Sequence, residues 1–259
     1  MKPFPRRLRH GEEATLEEHL GELRGRLIVT LLGIAAAFVA AYLIHGHLLD
    51  WLNRPLPEQY KKPATFSPIE PFTTSILVSL WAALLLALPI VFWQLWSFLA
   101  PAVEEGRQRS IAMLVGFATV LGLGGVAFAY WVVLPPAIHF LTNYDSTHYT
   151  VLIRARDYYR FAGFVLLGVA LAFEVPVFVL ALVRLRILTA AKLRSTWRFG
   201  VFVMTVIGVL LPGVDPVSTV LSVVPLVSLY VLSIGLASFF EPRWRSEPEP
   251  VRPLEGQIP

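Results

Sequence analysis

The chain alternates long apolar runs with short polar breaks. Six apolar runs stand out, over residues 27–44, 72–99, 111–134, 161–183, 199–211 and 217–240. The first has 18 residues without a charge, enough to cross most of a hydrocarbon core of about 30 Å. The fourth contains one charge, Glu174. The fifth has only 13 residues between Arg198 and Pro212. At ~1.5 Å per residue it spans roughly 20 Å, so it must recruit its flanks, thin the bilayer or be shielded by neighbours. Pro212-Gly213-Val214-Asp215-Pro216 is then its entire connection to the sixth run, a tight hairpin. Pro89, Pro176 and Pro225 fall inside the second, fourth and sixth runs. They predict kinks, which could enclose a concave surface or reflect plain irregular packing. The predicted fold is an all-α integral membrane protein with six transmembrane helices. Residues 1–26 form a polar amino-terminal segment, 27–240 the membrane domain, and 241–259 a tail rich in Pro and Glu that is expected to be disordered.

Ahead of the first run, Thr15-Leu16-Glu17-Glu18 has the pattern of a helix-capping box. Leu16, Leu20, Leu23 and Leu27 recur at helical spacing, and Glu18, Glu22 and Arg26 step along a neighbouring face. On spacing alone this is a short interfacial helix with an ordinary Glu22–Arg26 surface pair, or a recognition surface.

Composition agrees with a membrane class: 56% of residues are hydrophobic and 15% charged, with a mean hydropathy of +0.63. The basic balance, +4 with a pI near 9.5, would suggest nucleic acid in a soluble protein. Here Lys and Arg cluster between apolar runs and set topology instead, so no nucleic-acid partner is expected. With an even number of spans, the termini share one side. That side holds sixteen of the Lys and Arg residues, and the other holds six: Arg54, Lys61, Lys62, Arg154, Arg156 and Arg160. The positive-inside rule then places both termini in the cytoplasm. On the outer side, the loop over about 45–71 carries five prolines and is expected to be an ordered cap with little regular structure.

Candidate chemistry is sparse. The chain has no cysteine, no G-x-x-x-x-G-K-S/T phosphate loop, no H-E-x-x-H and no G-x-S-x-G. No enzyme activity, cofactor or metal is expected. Gly122-Leu123-Gly124-Gly125 lies within an apolar run and reads as close helix packing. A carboxylate in mid-span, Glu174, costs about 2.5–3.5 kcal/mol on insertion scales, and Pro176 follows two residues later. Glu174 is expected to face a cavity, a partner helix or water, or else to complete an interhelical hydrogen bond. Glu12, Glu13, Glu17, Glu18, Glu22, Glu104 and Glu105 collect on the side otherwise filled with base. They read either as a patch for a basic partner or as charge balance.

Several motifs in order resemble the TatC family, the polytopic core subunit of the twin-arginine protein translocase. They are His19-Leu20-x-Glu22-Leu23-Arg24-x-Arg26-Leu27, Phe66-x-Pro68-x-Glu70-Pro71-Phe72 and Phe98-Leu99-x-Pro101. Phe128-x-Tyr130 with Pro135, Phe173-Glu174-x-Pro176 and Pro212-x-x-Asp215 continue the set, which covers about residues 15–240. The resemblance implies a kinked, cup-shaped six-helix bundle in the plasma (inner) membrane. It implies a receptor that binds twin-arginine signal peptides of folded cargo at the cytoplasmic face. Such a receptor works with TatA- and TatB-type single-span partners, in a larger self-associated complex driven by the proton-motive force. It assigns peptide binding to Glu22, Leu23, Arg24, Arg26 and Phe98. The family's loop glutamate is replaced by Arg107, so its role passes to Glu104 and Glu105. Glu174, Pro176 and Asp215 match the intramembrane and hairpin positions linked to partner helices, as does Thr219, where some relatives have glutamine. The alternative from a different class is a small-solute or ion secondary transporter in which Glu174 titrates.

Overall fold

The computed structural model describes residues 16–99, 108–184, 187–210 and 216–245, which are almost entirely helical. Helix α1 (Leu16–Leu43) leads into α2 (His45–Asn53), a 3-10 turn at Glu58–Tyr60 and α3 (Glu70–Leu99). Helix α4 (Gln108–Phe128) passes through a π turn, Ala129–Val133, into α5 (Leu134–Asn143). Then come α6 (Ala155–Ala172), α7 (Val175–Arg184), the short α8 (Ala190–Ser195), α9 (Trp197–Leu210) and α10 (Pro216–Arg245). Five segments are long and apolar enough to cross a membrane, and α9 is a shorter apolar helix. The expected six-span, all-α class is borne out.

Helix α1 packs on α3, which packs on α4 and α6; at the other end, α10 packs on α7 and α9. Small residues set the closest approaches. A Cβ on Gly125 of α4 would stand 2.8 Å from Ala170 Cα and 3.0 Å from Phe173 Cβ. One on Gly208 of α9 would stand 3.1 Å from Val223 Cα on α10. Within the Gly122–Gly125 stretch it is Gly125 that serves helix packing, as the apolar setting suggested. Apolar cores lie where elements converge: Val133, Leu134 and Val165 under the α2 end, Phe92 and Val177 in the middle, and Leu180, Leu193 and Tyr230 at the α8 end. Many large apolar side chains stay exposed, including Leu31, Leu32, Val120 and Phe202. That is the outward face of a protein solvated by lipid.

Local expectations change in four places. Residues 16–43 form one unbroken helix, so the amino-terminal amphipathic stretch continues the first span and is not a separate interfacial element. Thr15, the expected cap, lies outside the described residues. The third helix does not stop where its apolar run ends at Leu134: Pro135 and Pro136 occupy the first turn of α5 after a π turn. The π turn widens the backbone spacing just before the two prolines, with the Leu134 amide bonding Ala129 O, and so lets the helix continue past residues that lack an amide hydrogen. The proline-rich cap is less irregular than expected, because its first third is α2. The segment after Phe240, expected to be disordered from 241, is helical to Arg245. Glu241 explains this: its Oε2 accepts the Ala190 amide at 2.6 Å, so its side chain ties α10 to the start of α8.

Candidate functional site

At the end of the bundle that carries the first turns of α1 and the last turns of α3, Glu22 and Arg26 pair one helical turn apart. Arg26 donates from Nε and Nη2 to the same oxygen, Glu22 Oε1, at 3.0 and 2.5 Å. Its Nη1 reaches across to Gln94 Oε1 on α3 at 3.4 Å. Both charged side chains are half-buried, 24% exposed each. The bond to Gln94, like the packing of Gly33 against Ile90, reports the register of α1 against α3. The two helices run antiparallel, so four residues back from Arg26 to Glu22 is matched by four residues on from Gln94 to Phe98. Glu22 and half-buried Phe98 thus lie at one level of the bundle. Leu23, 44% exposed, and Arg24, also exposed, flank them on α1. Glu104 and Glu105, and with them Arg107, lie outside the described residues, as does Asp215.

Gln94 was missed by the sequence reading. Its signal was present, since it is the one amide side chain in the 28 residues over 72–99, whose other polar side chains are hydroxyls.

Glu174 sits elsewhere, in the break between α6 and α7. Its amide bonds Leu171 O and its carbonyl accepts from the Phe178 amide, both at 3.1 Å, so its backbone starts α7. Pro176 comes at the second residue of α7, where the missing amide has no intrahelical partner to lose. The carboxyl is 1% exposed, and Oε1 is a buried atom without a hydrogen-bond partner among the described residues. A Cβ on Gly122 would stand 3.0 Å from that oxygen, so the absence of a side chain on α4 is what leaves room for it. Within this single chain, Glu174 is therefore enclosed against α4 and does not line an opening. Half-buried Thr219 lies in the first turn of α10 beside Ser218, which is 1% exposed. The structure separates the Glu22–Phe98 level from Glu174.

A third cluster was not foreseen as such. Glu70, first residue of α3 and 3% exposed, accepts Arg154 Nε at 2.8 Å, Arg154 Nη2 at 3.3 Å and the Phe66 amide at 3.0 Å. Arg154 also lies over the Phe66 ring, 5.8 Å from its centroid, and Glu70 beside it holds the guanidinium still more firmly protonated than usual. The backbones join here too: the Ala64 amide bonds Ile153 O and the Ala155 amide bonds Ala64 O, each at 2.8 Å. Two of the quoted motif residues, Phe66 and Glu70, thus fasten the cap loop to α6. The sequence held the acid and the base, but 84 residues separate them and no periodicity connects such a pair.

Comparisons with known proteins agree with this architecture. The family described as Sec-independent protein translocase protein (TatC) matches residues 18–225. The Sec-independent protein translocase protein TatC of Helicobacter pylori strain J99 is 32% identical over 228 residues, covering 88% of this chain and 90% of that one. TatCd of Bacillus subtilis strain 168 is 32% identical over 237 residues, covering 91% and 97%. A crystal structure of a twin-arginine translocase receptor, TatC, in the detergent DDM superimposes with a TM-score of 0.76 at 29% identity, covering 85% of this chain and 99% of that one.

Proposed function

This chain belongs to the TatC family of Sec-independent protein translocase proteins, and on that premise we propose that it is the signal-peptide receptor of a twin-arginine export system. It is a multi-pass membrane protein and a translocase component, not an enzyme. In our reading both termini face the cytoplasm and the membrane is the plasma (inner) membrane, supported by the excess of Lys and Arg on one side of the spans. Residues 1–26 then form the cytoplasmic segment, 27–240 the membrane domain and 241–259 a cytoplasmic tail.

The observation that carries the proposal is the Glu22 carboxylate. It already holds one guanidinium through a single oxygen, at the level of Phe98. Oε2 has no partner among the described residues and is available to a second guanidinium. A peptide with paired arginines would engage this carboxylate by a charge-assisted fork, with Phe98 and Leu23 receiving the adjoining apolar residues. Arg26 holds the carboxylate in place, Arg24 lies beside it on α1, and Glu104 and Glu105, a few residues beyond Phe98 in the sequence, supply further acid for the peptide. Thr219 and Asp215 serve contacts with TatA- and TatB-type single-span helices, which Glu174 and Pro176, enclosed against α4 in the isolated chain, join once α4 and the α6–α7 break part; proton-motive force drives passage of folded cargo. The solute-carrier alternative finds no support among the relatives, and Glu174 is closed off from solvent.

The test is binding of a labelled twin-arginine signal peptide to the detergent-purified protein, with Glu22→Ala and a paired-lysine peptide as comparisons. Losing a hydrogen bond to a charged group, about 1.5–3 kcal/mol, predicts roughly ten- to hundredfold weaker binding for Glu22→Ala. The lysine peptide should also bind less tightly, and added salt should weaken the parent complex. Unchanged affinity in both comparisons would overturn the reading.

A further inference from the structure

We propose that the cavity between the start of α3 and the start of α6 binds a phosphate diester, supplied by the headgroup of an anionic membrane lipid. The cavity has a volume of about 300 Å³. Arg154, Arg156 and Arg160 line it, with Ser67 and Thr73 adding hydroxyls and Leu77 an apolar wall.

The charges divide in an informative way. Arg154 is consumed by Glu70, whose carboxylate it meets with two nitrogens, so this pair is balanced internally and forms a fixed wall. Arg156 and Arg160 are exposed, and four residues apart on α6 they project from one face. Among the described residues neither guanidinium makes an ion pair or side-chain hydrogen bond. Asp157, the remaining acid nearby, is exposed and is not among the residues that line the cavity. Two uncommitted guanidinium forks around one cavity suit a tetrahedral oxyanion, which they can hold bidentately.

The site's depth selects the source of that phosphate. The apolar run of α6 begins at Phe161, immediately beyond the cavity, and that of α3 begins at Phe72, so Thr73 and Leu77 carry the cavity into its first turns. Ile69, 63% exposed, and Phe72, 57% exposed, offer apolar surface at its rim for acyl chains. Arginine stems can lie along such surface while their heads sit at headgroup level. The arginines are also unexpected here. On the orientation proposed above, this side holds only six of the chain's 22 Lys and Arg residues, and three of the six line this cavity. A rule that discourages base on the outer side makes such a concentration informative.

The test uses the full chain purified in detergent and native mass spectrometry, with three probes titrated separately: phosphatidylglycerol, phosphatidylcholine and inorganic phosphate. The expected result is about tenfold tighter binding of phosphatidylglycerol than of phosphatidylcholine. R156Q/R160Q should abolish that preference, and R156K/R160K should retain part of it. K61Q/K62Q removes the same charge from the same end of the bundle outside the cavity, and should leave the preference intact. Binding of inorganic phosphate that R156Q/R160Q removes, without lipid preference, would keep the oxyanion site but make its ligand free phosphate. Equal binding of both lipids with no phosphate binding would overturn the proposal on the parent protein alone. So would R156Q/R160Q matching the parent, or K61Q/K62Q losing as much as it does. Signal-peptide binding at the opposite end is measured separately, so neither reading depends on the other's result.

Discussion

At the scale of single residues, the protein accepts a local cost inside its apolar bundle. Glu174 is buried with an oxygen that has no hydrogen-bond partner among the described residues, and such a group typically costs about 1–3 kcal/mol. Glu174→Leu is therefore expected to raise the thermal midpoint of the isolated protein while lowering export of a twin-arginine reporter in cells. A destabilised Glu174→Leu would mean that the carboxyl is satisfied in the isolated chain. Gly125 and Gly124 are adjacent, yet opposite in consequence. A Cβ at 125 meets backbone at 2.8 Å, whereas one at 124 meets nothing within 4 Å. Gly125→Ala should cost about 1–3 kcal/mol through overpacking of α4 against α6. Gly124→Ala should be neutral or slightly stabilising, since alanine is the better helix former. Thermal melts of the two purified variants check the contrast. Gly124 and Gly125 read alike in the sequence; only the helix crossing distinguishes them.

At the scale of elements, α2 is a helix of nine residues held by neighbours more than by itself. Isolated helices this short are marginal in water. Three tyrosines hold its last turn: Tyr130 donates to Trp51 O at 2.8 Å, Tyr158 donates to Leu52 O, and Tyr159 donates to Asn53 Oδ1 at 2.9 Å. Trp51 also stacks on Tyr130, with ring centroids 3.9 Å apart. Each hydroxyl bond is worth about 1 kcal/mol. Replacing all three tyrosines by phenylalanine should speed amide exchange across His45–Asn53 several-fold per lost bond, without changing exchange in α9. Unchanged exchange would show that stacking and apolar burial alone fix the cap. The same logic explains why the cap read as irregular from its prolines: its helix is written in tyrosines on α6 and in the π turn, not in its own segment.

At the scale of the whole molecule, α1 and α9 occupy opposite edges of the packing order, each resting on a single long neighbour, α3 and α10 respectively. The 14 residues of α9 reach only about 21 Å at ~1.5 Å per residue, so that edge is thin as well as peripheral. Orientation is testable at this scale because the chain has no cysteine, which makes single introduced thiols unambiguous reporters. In intact cells, K61C should react with a membrane-impermeant maleimide and K192C should react only after permeabilisation. The reverse pattern would invert the proposed topology and relocate the Glu22 receptor surface with it.

Hydropathy alone determined the helical membrane class and its long apolar spans, because 18 or more apolar residues have few other stable destinations, and it marked the fifth run as short. The ordered motifs carried the family, and the lone Glu174 and the Glu22–Arg26 spacing marked charged side chains that the structure does hold in special settings. Tertiary structure decided what those marks mean in space. The antiparallel register of α1 and α3 brings Gln94 to Arg26 and levels Glu22 with Phe98. The α4–α6 crossing encloses Glu174 at Gly122, and the fold joins Glu70 to Arg154 beside two uncommitted arginines. Those relations are between residues tens of positions apart. Local periodicity reports which face of a helix is apolar, but the partner opposite that face exists only once the helices have packed.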